Sequence, residues 1–170
     1  MTHYRHRGAT LPQSPLSIPR HYHVNHSKCH MGKGREVFDA LYQAILDKQM
    51  VNLDWVQLDG LVEEARDMTM HAQVYGMRFR LPLTVVAVFN IQTPIQSIAG
   101  FSYGTRKGHL LRGEERFCAI WDHQTDDVWF EICSFSQPAR LLSRVGWPLV
   151  KHLQRLFLKQ STQKMHAHLS

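Results

Sequence analysis

A chain of 170 residues is long enough for one domain with a full core and too short for two. Hydrophobic residues at 44% and charged residues at 20% are ordinary for a globular protein, and no apolar run approaches the roughly 20 residues of a membrane-spanning helix. The net charge of +6 is terminal: residues 1–35 and 135–170 each carry six Lys/Arg and no acid, while residues 36–134 carry eight against all fourteen Asp/Glu.

That layout suits either a solvated basic face lying against an acidic middle or contact with an acidic partner or anionic membrane. Cys29, Cys118 and Cys133 are an odd number without paired spacing, so they read as reduced thiols of a cytoplasmic protein. The first residues hold arginine, histidine and proline but no apolar segment. This excludes an ordinary secretory signal and leaves an organelle transit peptide as the alternative. Residues 1–20, with Pro12, Pro15 and Pro19, predict a flexible basic arm. A single domain is expected over residues 21–167.

In chain order, His21–Met31 alternates without a clean period until Gly32 and Gly34 break it. Val37, Phe38, Leu41, Ile45 and Leu46 then fall at helical spacing over 35–47, with Glu36 in the first turn, where the helix dipole favours an acid. A short strand is expected near Leu53–Leu58. The segment Asp59–Tyr75 divides between a helix around Glu63–Asp67 and a strand over Thr69–Tyr75. Leu83–Ile91 is β-branched and aromatic with apolar residues on both faces, as in a strand covered on both sides. Strands over Ile95–Thr105, Glu115–Trp121 and Val128–Phe135 follow as an antiparallel meander, with a polar turn at His123–Asp127.

Beyond Ser136 the chain turns helical. A proline inside a helix costs about 3 kcal/mol, so Gly146 and Pro148 predict a short helix to Val145 and a long one from near Trp147 with Pro148 in its first turn. Counted from Leu142, the residues Val145, Leu149, Val150, Leu153, Leu156 and Phe157 fall in an arc of roughly 140°. Arg140, Arg144, Lys151, Arg155 and Lys159 lie opposite, as a basic stripe available to an acidic partner or an anionic membrane. The layout is α+β, a curved antiparallel sheet gripping a long C-terminal helix, and the space between them is a natural home for an apolar ligand.

The stretch Gly100–Phe117 concentrates the candidate chemistry. It holds Tyr103, Thr105, His109, Arg112, Glu114, Glu115 and Arg116 on or beside one glycine-punctuated hairpin. A histidine near carboxylates exchanges protons near neutral pH, and an arginine fixes an oxyanion. Cross-strand ion pairs that set the register explain the same residues without any chemistry. Glu131, sharing a strand face with Trp129 and Cys133, is expected on the solvent side, paired with an arginine of a neighbouring strand. His21, His23, His26, Cys29 and His30 are close in sequence but match no zinc spacing, so no metal or other cofactor is expected. A P-loop, a dinucleotide fingerprint, a Gly-x-Ser-x-Gly elbow and a His-Glu-x-x-His pair are all absent. Without a nucleic-acid motif, nucleic acid is not an expected partner.

Gly100-Phe101-Ser102-Tyr103-Gly104-Thr105 with Gly108-His109, Arg112-Gly113-Glu114-Glu115-Arg116-Phe117, Val128-Trp129-Phe130-Glu131-Ile132 and Pro148-Leu149 with Gln154-Arg155 resemble an uncharacterised bacterial and plant family, the domain of unknown function numbered nineteen-ninety. The resemblance covers about residues 21–165 and implies a first strand over His21–Met31. It departs at Arg106-Lys107, where an apolar residue and a proline are expected, and at Gln137, where arginine is usual. It implies no known activity. Its element order is similar to the helix-grip superfamily of lipid-transfer and polyketide-cyclase domains. The expectation is binding of a small hydrophobic or amphipathic molecule, with Tyr103, Thr105, His109, Arg112, Glu115 and Trp129 as candidate binding residues. The alternatives are a cyclase-like or hydrolase-like enzyme using His109 with Glu114 or Glu115, and an interaction module docking through the basic terminal face.

Overall fold

The computed structural model describes residues 2, 4–14, 17–18 and 20–170. Strand β1 (His23–Lys33) is followed by helix α1 (Arg35–Leu46), a 3-10 turn at Gln49–Val51, and strands β2 (Val56–Asp59), β3 (Asp67–Val74), β4 (Met77–Gln92), β5 (Gln96–Thr105), β6 (Leu111–Asp122) and β7 (Asp127–Pro138). A short helix α2 (Leu141–Val145) and a long helix α3 (Trp147–Leu169) complete the chain. All strand pairs are antiparallel, in one seven-stranded sheet of order β1-β7-β6-β5-β4-β3-β2.

The helices form where apolar residues recur at helical spacing. In α1 the buried residues are Phe38, Leu41, Ala44 and Ile45, and in α3 they are Phe157, Leu158, Ser161 and Met165. Pro148 lies in the first turn of α3, where its missing N–H forfeits nothing. The sheet curls around α1 and α3, and Gly113 lets β7 approach β6 closely. A Cβ there would overlap the carbonyl of Phe135 in the paired strand.

Several expectations change at the edges of elements. The divided segment resolves into a strand from Asp67, and the short strand before it begins at Val56 rather than Leu53. Strand β4 starts at Met77 and passes through Pro82. The Pro82 carbonyl accepts the Arg106 N–H at 3.1 Å. Pairing with β5 ends at Leu83–Thr105, so the missing N–H of Pro82 faces a side where the ladder has stopped.

Described residues of the segment expected to be a flexible arm contact the sheet. Of that segment, Met1, His3, Pro15, Leu16 and Pro19 lie outside the described residues. Thr2 bridges Arg106, Thr10 is buried, and the Tyr4 ring packs edge-on against Phe135 at 5.8 Å. Gly104 makes room for it, since a Cβ at that position would overlap the Tyr4 hydroxyl. Composition marks such a segment as unable to make its own core, but it borrows apolar surface from β5 and β7. The N-terminal residues thus cover part of the outer face of β5, β6 and β7.

Candidate functional site

A cavity of about 320 Å³ lies between the sheet and the N-terminal half of α3. Met70, Ala72, Phe79 and Leu81 from β3 and β4 face Leu149 and Leu153 from α3, and Tyr103 and Phe157 close its inner end. Beneath them Phe101, Tyr103 and Phe117 pack ring on ring, with centroids 5.7–6.3 Å apart. No lysine or arginine lines this space among the described residues.

Strand alternation decides which polar groups reach it. Glu115 and Tyr103 are opposite each other on β6 and β5 and share the concave face, where the Tyr103 hydroxyl donates to Glu115 Oε2. Burial pushes the Glu115 carboxyl up to about 7, against the lowering effect of the Tyr103 hydrogen bond. Burial and the neighbouring carboxylate hold the Tyr103 hydroxyl well above its ordinary range, so it stays a donor. His109, in the turn before β6, is buried, lines the cavity and accepts the Leu111 N–H on Nδ1 at 2.9 Å. Its neutral form therefore carries the proton on Nε2. Burial lowers the His109 imidazole to about 4, so it is uncharged at neutral pH. Thr105 Oγ1 accepts the Gly113 N–H at 3.0 Å and also borders the cavity.

The neighbouring residue Glu114 belongs to the opposite face, because consecutive side chains of a strand point opposite ways. Its Oε2 accepts the Tyr4 hydroxyl at 2.6 Å and the Gly8 N–H at 2.7 Å, while its Oε1 accepts the Thr10 N–H at 3.1 Å and the Thr10 hydroxyl. Glu114 and His109 therefore both border the cavity, but the Glu114 oxygens are taken up by the N-terminal residues and not by His109. Arg112 is on the same outer face, within electrostatic reach of Tyr22, and does not line the cavity. Arg116 donates to the Thr10 carbonyl at 2.6 Å and pairs with Glu131, which also takes His26 at 2.8 Å. Trp129 lies on this outer face too, against His30 with centroids 5.1 Å apart and under Lys28. It sits away from the cavity because it shares the parity of Glu131 and Cys133.

The early histidines find separate partners: His26 meets Glu131, His30 meets Asp127 at 3.0 Å, and Cys29 meets His166 at 3.1 Å. No group of three or more His, Cys, Asp or Glu among the described residues is placed to hold a metal. On the terminal helices Arg140, Arg144, Arg155 and Lys159 are exposed and Lys151 is half-buried. The apolar arc, expected to pack along its length, does so only from Val150 onward. Leu142 and Val145 are 65% and 78% exposed, because α2 ends at Gly146 and sits at the cavity's rim instead of continuing α3.

Two parts of the site escaped sequence reasoning. The wall from β3 and β4 carried a usable signal, since Met77, Phe79 and Leu81 alternate with Arg78 and Arg80 at the period of a half-buried strand. The clasp of Tyr4 and Thr10 on Glu114 carried none, being joined across more than a hundred residues.

Comparison with known proteins agrees with this fold. A UPF0548 protein of Arabidopsis thaliana is 34% identical over 151 residues, covering 86% of this chain and 73% of that protein. A UPF0548 protein of Dictyostelium discoideum is 27% identical over 154 residues, covering 85% and 71%. Among solved structures, TTHA0849 from Thermus thermophilus superposes with a TM-score of 0.58 at 10% identity, covering 86% of this chain and 96% of that one. Human STARD10 does so with a TM-score of 0.58 at 10% identity, covering 91% and 66%. A START superfamily protein from Mycobacterium smegmatis gives 0.55 at 12% identity, covering 86% and 97%. These likenesses establish the START-type helix-grip fold. With residues 3–164 matching throughout, the chain belongs to the family described as "Domain of unknown function (DUF1990)".

Proposed function

We propose that this protein binds a small apolar or amphipathic molecule between its sheet and the start of α3. The observation that carries this reading is a space of about 320 Å³ with apolar walls and few polar groups, the usual make-up of a small-molecule site. Tyr103, Glu115 and His109 supply orientation at its inner end. The neutral fluorophore N-phenyl-1-naphthylamine tests it. The wild type is expected to bind and enhance its emission, and Leu153→Trp, which fills the space from α3, is expected to weaken binding at least roughly tenfold. Unchanged binding by a folded Leu153→Trp protein would count against the cavity.

The rim of the cavity supports a second reading, docking on an anionic membrane surface. Leu141, Leu142 and Val145 are 74%, 65% and 78% exposed, with Arg140 and Arg144 exposed beside them. Apolar side chains among arginines suit the boundary between anionic headgroups and acyl chains. No helix among the described residues is long and apolar enough to cross a membrane. In flotation assays, binding is expected to vesicles containing phosphatidylserine and not to pure phosphatidylcholine, and Leu142→Asp with Val145→Asp is expected to abolish it. Equal recovery with both vesicle types would exclude the charge-dependent reading.

A further inference from the structure

The cavity's charge says more about what fits it than its volume does. Among the described residues, Glu115 and Glu114 are the carboxyls that border it, and no lysine or arginine lines it. The nearest arginines along the strand, Arg112 and Arg116, are committed to the other face by alternation. Glu115 Oε2 is held by the Tyr103 hydroxyl, and Oε1 takes no protein partner among the described residues. Glu114 borders the same space, but both of its oxygens are occupied by Tyr4, Gly8 and Thr10. His109 is tied through Nδ1 to the Leu111 N–H and contributes no positive charge. An anionic headgroup would thus enter a low-dielectric space that offers no cation and one acid, which buries an unpaired charge at high cost.

We propose that the ligand class is an apolar amine, with its nitrogen seated on the open oxygen of Glu115 and its hydrocarbon or aromatic body against the walls from β3, β4 and α3. This rests on the binding reading above. The Tyr103 hydroxyl fixes the carboxyl so that its second oxygen points to the ligand, and an ammonium group supplies the charge the site lacks. A buried amine–carboxylate pair with hydrogen bonds to both partners meets the conditions under which such a pair is favourable. Fatty acids and phosphate-bearing lipids are disfavoured for the same reason.

Three probes of one chain length separate the possibilities: decylamine, decanol and decanoic acid, each below its micellar concentration, followed by calorimetry or by displacement of the neutral fluorophore. Decylamine is expected to bind at least tenfold more tightly than decanol, and decanoic acid more weakly than either. Glu115→Gln is expected to reduce the preference for decylamine over decanol about tenfold or more, and measurable decanol binding by the variant shows that its cavity is intact. Should the variant fail to fold, the wild-type ranking alone decides. Decanol binding with no preference for the amine, or decanoic acid matching it, overturns the ligand class and leaves the cavity reading standing. Failure of all three probes overturns both.

Discussion

Glu114→Ala is expected to release the N-terminal residues from the sheet while the rest of the domain stays folded. In the wild type one carboxylate gathers the Tyr4 hydroxyl, the Gly8 and Thr10 N–H groups and the Thr10 hydroxyl, with the Tyr4 ring against the buried Phe135. Burial, and then the Glu114 charge, raise Tyr4 far above the ordinary tyrosine range, so Tyr4 is a donor at any pH at which the protein is folded. Removing the acceptor leaves two buried backbone donors and two hydroxyls unpaired, a loss of about 3–5 kcal/mol. The segment can undock, so the cost is capped at the free energy that docks it. In a domain of this size such a loss lowers Tm by about 10 °C. Limited proteolysis checks the location: cleavage within residues 4–14 should become fast in Glu114→Ala and stay slow in the wild type. Tyr4→Phe, which removes one of these bonds, should cost about 1 kcal/mol. A segment equally protected in wild type and Glu114→Ala would mean that the clasp does not hold it.

The second large effect is a pH dependence of stability with two opposing parts. The Glu115 carboxyl is raised from 4.5 to about 7 by burial, so the folded protein prefers its neutral form. Its contribution is complete below pH 4.5, where both states are protonated, and is lost as pH rises through 7, where the folded state must ionise it in an apolar wall. The His109 imidazole is lowered from 6.5 to about 4 by burial, so the folded protein again prefers the neutral form. That contribution is complete above 6.5 and is lost as pH falls through 4. Each shift corresponds to about 3 kcal/mol. Glu115→Gln should therefore gain about 3 kcal/mol relative to wild type at pH 8 and almost nothing at pH 4.5. His109→Gln should flatten the acid side only. Urea unfolding across pH 4–8 checks both, and parallel curves for wild type and Glu115→Gln would show that Glu115 is not held in an apolar wall. The stability removed at neutral pH by this carboxyl is what an amine seated on it would restore, because a charged partner replaces the lost water.

Much of this architecture was legible in the chain because its signals are local. The spacing of Phe38, Leu41 and Ile45 defines α1, and Gly146 with Pro148 divides α2 from α3 where expected. The parity of Trp129, Glu131 and Cys133 put those three on one face, and Glu131 lies on the outer side paired with Arg116 as expected, which takes Trp129, a candidate binding residue, to that outer face as well. Local spacing likewise assigns Glu114 and Glu115 to opposite faces, but not which of them keeps an oxygen open towards a cavity.

Local patterns in the chain were enough to read helix α1, the antiparallel meander ending in β7, the division of α2 from α3, and the cluster of polar residues around Tyr103, His109 and Glu115. Period, proline and glycine act over a few residues and need no partner to be read. Only the tertiary structure decided that residues 4–14 close over Glu114, that Trp129 and Arg112 stand outside the cavity, and that Leu142 and Val145 are left exposed at its rim. Each of those outcomes depends on which distant surface covers a given face. That is settled by apolar area and hydrogen bonds shared between segments far apart in the chain, where no local pattern records them.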